Sequence, residues 1–561
     1  MPSTSRTADE RFATFASDFL QAYLALEPTV ATGLGDHHHD GRWPALGPEA
    51  DAQQRRWLDQ SLATLDALPD AELSVDNRID KEIARTQLRS WRFHLDELRT
   101  THSDPLYYTG LIGDGLDPLI TRDFAPLATR LTSLRQRLEG VPAVVAAARR
   151  DLDNPPELHT RTAIEQNHGL VALCAGGFRD ETAAATPAER DEVARAAATA
   201  HAALQDFQAF LEKDLLPRSR GELRLGRERF TKKLRYTLDE DVDIDALARD
   251  ARALLERTQG EMVETARELW PTLWPARPWH PPSDQAARLA VVREVLTRLA
   301  EDRPDNRTIV AEAGRLLDEA TRLVRQRDLV RVPDEPCHVI EMPEYRRGVA
   351  IAYCDSSGPL EAKQETFYAI APTPKDWDAR RSESFYREYN RAMLADLTVH
   401  EAMPGHFLQL MHANRSSTPL RTIFASGSFI EGWAVYSEWL MSQAGFGGAR
   451  VKLQRQKMVL RLSVNALLDH GVHAGSMTEA EAMSLMRDQA FQEEGEAVGK
   501  WRRARLTSAQ LTTYFHGFQA MMRLREAATG KPGFTERTYH DRLLAHGSPP
   551  PRHVPALMAG H

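Results

Sequence analysis

Apolar residues that recur every three to four positions run through the first three hundred residues of this chain and resume from about Ser382 almost to its end. That spacing gathers them on one face of an α-helix, and a helix with one apolar face must pack that face against another element. "DERFATFASDFLQAYLAL" and "DNRIDKEIARTQLRSWRFHLDEL" are examples. Clusters rich in proline, glycine and aspartate, such as "DHHHDGRWPALGP", "TPAERD" and "WPTLWPARPWHPPSD", punctuate the pattern and read as turns. No repeat of fixed period is present, which argues against a solenoid.

The pattern changes near Val332. "CHVIEMPEYRRGVAIAYCD" and "ETFYAIAPT" are rich in β-branched and aromatic residues, are interrupted by Pro343 and Gly358, and read as a few short strands. The expected fold class is therefore mainly α, a large helical body with one small antiparallel β-sheet. The expected organisation is a helical region over 1–330 and a sheet plus helical region over 331–561, in one continuous structural unit. With 561 residues the chain can bury a large core. Its charged residues, 27% of the total with a net charge of −9, are interspersed in sign, which points away from nucleic acid as a partner. The opening "MPSTSRTADERF" lacks the apolar run of a signal peptide and no stretch is long enough to span a bilayer, so a cytoplasmic protein with no membrane partner is expected. The three cysteines form no close pair, so any metal must be held by histidine and carboxylate.

The segment that carries chemistry is "LTVHEAMPGHFLQL", Leu397 to Leu410. His400 and Glu401 begin an H-E-x-x-H pattern, but the second histidine, His406, arrives two residues late. Residues six apart on a straight helix are rotated by about 240° and cannot share an ion. Pro404 lacks the N–H that would bond the carbonyl of His400, and Gly405 permits backbone conformations that other residues avoid. A kink between the histidines is thus written into the sequence and can return His406 towards His400. A hydrolytic zinc site of the His-His-Glu kind needs one further carboxylate, and "GSFIEGWAVYSEWL" offers Glu431. Glu438, two turns later on the same face, is placed to orient a ligand histidine. The competing reading of Glu431 is a carboxylate at a helix N-terminus, favourable in any protein.

These stretches resemble the bacterial family known as domain of unknown function 885, through "HEAMPGHFLQ", "EGWAVYSE", "LDHGVHAGSMTEAEA", "SAQLTTYFHG" and "HGSPPPRHV". The resemblance extends over almost the whole chain, from "GLGDHHHDGRWP" onwards, with Phe515 a departure at a position where many members carry lysine. It implies a gluzincin-like metallopeptidase with a mostly helical fold, related to angiotensin-converting enzyme and the thermostable carboxypeptidases. A helical shell with the motif near its centre is expected to enclose a central cleft, and the 1–330 region, which has no evident chemistry of its own, is expected to form one wall and the roof. The resemblance further implies zinc as cofactor, His400, His406 and Glu431 as its ligands, and Glu401 as catalytic base. Because related helical metallopeptidases use tyrosine and histidine from later helices to stabilise the oxyanion, Tyr514 and His473 are the candidates here. Each also has an ordinary reading, Tyr514 as part of an apolar helix and His473 as the end of one before Gly475.

The expected activity is zinc-dependent hydrolysis of peptide or peptide-like amide bonds in short substrates. Two alternatives stay open: a biosynthetic amidase specific for one metabolite, and a metal-free binding or scaffold protein. Two other features admit a functional reading. His37, His38 and His39 resemble a metal tract but are consecutive in a turn, which favours a solvated loop. The strand around Tyr353 with "DSSGPLEAK" is either a peptide-binding edge or a plain hairpin.

Overall fold

The computed structural model describes residues 7–176, 178–342, 351–361, 365–416 and 418–559. It is mainly α. The periodic stretches form helices with local start signals: in Ala8–Leu26, Thr7 and Glu10 make a capping box, and in Pro187–Phe210, Thr186 and Glu189 make another. Val75–Phe93 is capped by Ser74, whose hydroxyl accepts from the Asn77 N–H. Among the described residues no helix is long and apolar enough to cross a membrane.

The chain divides into two compact units, Met1–Leu223 with Ser357–Gln364, and Arg224–Ser356 with Glu365–His561. The helix Ile244–Leu273 packs along the helix Gly448–His473 and so joins the second unit. Arg224, the first residue of that unit, donates to the carbonyls of Val472 (2.6 Å) and Met477 (2.7 Å). The first unit is built on the packing of Leu127–Asp151 against Pro187–Phe210, with Tyr108, Leu138 and Phe207 fully buried among them.

The sheet has three strands, β1 (Cys337–Glu341), β2 (Ala352–Ser356) and β3 (Thr366–Ile370), in the order β1-β3-β2. It is mixed, not antiparallel as expected: β2 pairs antiparallel with β3, whereas β1 pairs parallel to it with Cys337 opposite Thr366. A parallel pair needs a long crossover, and the whole segment containing β2 supplies it. Pro343 and the rest of 343–350 lie outside the described residues, as do Ala362 and Lys363 of "DSSGPLEAK". The central strand β3 is buried through Tyr368, Ala369 and Ile370, as a strand covered on both sides should be.

Candidate metal centre

The helix Arg391–Glu401 begins at Asn390, whose side chain caps Met393 N–H, and ends at Glu401. Ala402 leaves helical geometry, and a new helix, His406–Ala413, starts at the second histidine itself. The turn of Met403, Pro404 and Gly405 therefore replaces the continuous helix of an ordinary H-E-x-x-H site. Gly405 serves by its size and not by a left-handed conformation: its φ is −72°, and a Cβ there would fall 1.9 Å from the His400 carbonyl oxygen. Its N–H donates to Val399 O at 2.9 Å, which folds the turn back onto the first helix.

A third helix, Gly427–Gln443, holds this turn. Trp433, fully buried, donates its indole N–H to the Pro404 carbonyl (2.8 Å), and the Ser437 hydroxyl approaches the same oxygen (3.4 Å). Ser426 caps this helix, so Glu431, in its second turn, is not needed as the cap. The outcome is that His400 Nε2 and His406 Nε2 each lie 3.6 Å from Glu431 Oε2, with the two imidazole rings 4.7 Å apart and nearly perpendicular. One ligand atom from each residue lies within 4.8 Å of the others. The three side chains are only 9%, 12% and 19% exposed.

These residues fit a bound cation. Glu438, 1% exposed, accepts from His400 Nδ1–H at 2.7 Å, which fixes the tautomer and leaves the Nε2 lone pair facing Glu431. Burial opposes the ionisation of Glu431, yet His400 and His406 hold its carboxyl well below the usual range. Burial likewise opposes a charge on His400, yet Glu431 and Glu438 push its pKa well above the ordinary value. These carboxylates draw positive charge into the space between them, which protons on the imidazoles or a metal ion can supply, and the N, N, O donor set is that of hydrolytic zinc sites.

Glu401 is next to this group. Its pKa is raised by burial, against the opposing effect of His400 and His406, and the Cys354 N–H of the edge strand β2 donates to its Oε2 at 3.1 Å. The sheet thus lies beside the motif. Asp396, one turn before His400, was not foreseen; burial and the neighbouring Glu438 push its pKa well above the carboxylate range.

Tyr514 reaches the site through the helix Thr512–Ala528, which crosses the Glu431 helix almost backbone to backbone. A Cβ on Gly432 would lie 2.5 Å from the Gly517 carbonyl carbon, and one on Gly517 would lie 2.0 Å from Ser428 O, so only glycine allows this crossing. The hydrogen bond between Ser428 Oγ and His516 Nδ1 (2.7 Å) locks it. The phenol pKa of Tyr514 is raised, first by burial and then by the Glu431 charge.

His473 takes the ordinary one of its two expected readings, the end of a helix before Gly475. It is the last residue of its helix, and its Nε2 faces the carbonyls of Ala504 (3.0 Å) and Thr507 (2.8 Å), with the ring stacked on Phe230. It closes the end of the helix Glu494–Leu506. Asp469, four residues earlier, accepts from the N–H groups of Ala509 and Thr512 at the start of the Tyr514 helix. The D-x-G-x-H segment therefore pins the connection that presents Tyr514. The three turn histidines do not converge: His37 bridges Asp40 (3.0 Å) and Glu361 (3.1 Å) and stacks on Phe124, while His38 bonds Asp36.

A mainly helical protein with a small mixed sheet and a buried His-His-Glu group next to a further glutamate is the class that fold and site define. The chain belongs to the family described as bacterial protein of unknown function (DUF885), whose model matches residues 28–558. It is similar to the solved structure of a candidate lipoprotein of unknown function from Shewanella oneidensis, at 29% identity and a TM-score of 0.82, covering 98% of this chain and 99% of that one. The structure of a candidate lipoprotein from Colwellia psychrerythraea shares the fold at 17% identity and a TM-score of 0.80, covering 99% of each chain. No curated protein matches the chain.

Proposed function

We propose that this protein is a gluzincin-like metallopeptidase, a zinc-dependent hydrolase of peptide or peptide-like amide bonds in short substrates. The observation that carries the reading is the convergence of His400, His406 and Glu431, three largely buried side chains from three helices, beside the Glu401 carboxyl with its raised pKa. Zinc held by these three residues would polarise a substrate carbonyl and lower the pKa of a water molecule.

The chain's own groups supply the rest. Glu401 accepts the proton of the attacking water and delivers it to the leaving amine, and its raised pKa brings it closer to the value that suits both tasks at neutral pH. The Cys354 N–H fixes the Glu401 carboxylate in position. Glu438 keeps the His400 ring in one orientation. The Tyr514 phenol, kept protonated by its raised pKa, donates to the carbonyl oxygen as negative charge develops there.

Two measurements test this. Metal per chain in protein purified without added metal is expected near one, and far below one in His406→Ala. Glu401→Gln is expected to retain the metal and lose hydrolysis of a peptide mixture by several orders of magnitude. Equal metal in parent and His406→Ala, or parental turnover by Glu401→Gln, removes the reading.

A further inference from the structure

On the helix Glu494–Leu506, Glu496, Lys500 and Arg503 follow one another at four and three residues and share one face. Glu496 already has partners, in the Arg461 guanidinium and the Tyr389 hydroxyl (3.1 Å). Glu388, 1% exposed, accepts from Lys457 (2.9 Å) and Arg461 (3.4 Å). Lys500 is only 8% exposed, yet among the described residues its ammonium has no hydrogen bond or ion pair. Two carboxylates, Glu388 and Glu496, pair directly with Lys457 and Arg461 and reach Lys500 only at longer range, while Arg503 adds a further positive charge near Lys500.

Arg503 links this surplus to the metal centre. Its Nη2 donates to Gln510 Oε1 (2.7 Å) and to the Tyr514 hydroxyl oxygen (3.4 Å), while its Nε and Nη1 take no partner among the described residues. Tyr514 in turn is close enough to Glu431 and His400 for both to act on its phenol. An arginine with one edge open, one helical turn from a buried lysine that makes no direct hydrogen bond or ion pair, is suited to a planar carboxylate, which accepts two parallel N–H bonds.

We propose that Lys500 and Arg503 form a carboxylate-binding subsite beside the His400–His406–Glu431 group, and that it receives the free C-terminal carboxylate of a short peptide. The assignment deepens the hydrolase reading and rests on it for the peptide nature of the ligand. It places cleavage near the carboxyl end of the substrate. Burial, and after it Arg461 and Arg503, pull the Lys500 pKa down to about 7 against the opposing charges of Glu496 and Glu388, and a bound carboxylate supplies the direct ion-pair partner that this ammonium lacks. An acidic side chain offers the same chemistry, and the experiment separates the two sources.

Binding is measured by calorimetry on the zinc-loaded Glu401→Gln protein, which prevents turnover, with acetyl-Ala-Ala-Ala, its carboxamide, and the carboxamide of acetyl-Ala-Glu-Ala. The free acid is expected to bind at least tenfold more tightly than either carboxamide. In Arg503→Gln and in Lys500→Met, each added to Glu401→Gln, that ratio is expected to fall to within twofold, with Arg503→Lys retaining an intermediate preference. Arg503 is exposed, so its variant keeps the test decisive even where loss of buried Lys500 disturbs folding. Equal binding of acid and carboxamide, no binding of the free acid at millimolar concentration, or an unchanged ratio in Arg503→Gln overturns the subsite. Equal binding of the free acid and the glutamate carboxamide overturns the C-terminal assignment. Hydrolysis by the parent protein is scored separately: the preference without any turnover sinks the hydrolase and leaves the subsite, and turnover without the preference does the reverse.

Discussion

Glu438 accepts a 2.7 Å hydrogen bond from His400 Nδ1–H while lying on the same helix as Glu431, two turns further on. One helix therefore contributes both a ligand-type carboxylate and the group that orients a ligand-type imidazole. Replacing Glu438 with alanine leaves His400 free to rotate and to change tautomer. The expected result is a loss of roughly ten- to a hundredfold in zinc affinity, with the ligands themselves untouched. Competition against a chromophoric chelator measures it, and unchanged affinity would show that packing alone holds the ring.

Gly405→Ala tests how the late histidine is brought back. The added Cβ would fall 1.9 Å from His400 O and 2.3 Å from Val399 O, both backbone atoms that cannot turn aside. The turn must open, at a cost on the order of 3 kcal/mol, and His406 moves with it. Urea denaturation of the metal-free protein should show the lower stability, and the same variant should bind less than one zinc per chain. Parental values in both would mean that the turn has slack the geometry does not reveal.

Much of this centre was legible in the sequence because its logic is local. The interval between His400 and His406 demanded a kink, Pro404 and Gly405 lay inside that interval, and Glu431 and Glu438 shared a helical face at a spacing of seven. Gly405 was legible for its conformational freedom, whereas the close approach of its Cα to His400 O and Val399 O depends on how the turn folds back and was not. The parallel pairing of β1 with β3 was not legible, because strand order is set by contacts between segments far apart in sequence. The same holds for the Cys354 N–H on Glu401 and for Arg503 beside Tyr514, which join residues 47 and 11 positions apart. For His473 the resemblance suggested an oxyanion role and the sequence a helix end; the pair of carbonyls at its Nε2, which no spacing rule predicts, accounts for the second.

That role gives a pH dependence of stability. Burial lowers the His473 pKa from 6.5 to about 4, so the unfolded chain binds a proton there at a pH where the folded chain does not. The neutral ring's contribution is fully present above about 6.5 and is lost as pH falls towards 4, below which both states are protonated. A shift of this size corresponds to about 3 kcal/mol over that window. In His473→Gln, whose amide can still donate to Ala504 O or Thr507 O, stability should fall less steeply between pH 6.5 and pH 4 than in the parent. The difference between the two urea-derived curves isolates this group from the other titrating residues, and parallel curves would count against a buried neutral imidazole.

Tyr514→Phe addresses the one proposed donor that comes from outside the three-helix centre. Arg503 donates to the phenol oxygen, which leaves the phenol's own proton to be directed elsewhere, and the raised pKa keeps that proton in place at neutral pH. If the proton meets the substrate oxygen only when that oxygen gains charge, its removal acts on the transition state and not on substrate binding. The expected loss is roughly a hundred- to a thousandfold in kcat, with KM within a few-fold and zinc content unchanged. Phenylalanine keeps the ring between the Glu431 helix and Arg503, so a collapse of packing is not the expected cause of any defect, and melting temperature checks this. A rise in KM with kcat preserved would reassign Tyr514 to ground-state binding, alongside Arg503 in holding the substrate carboxylate. Parental kcat and KM together would leave the developing charge to groups other than Tyr514 and remove this residue from the mechanism.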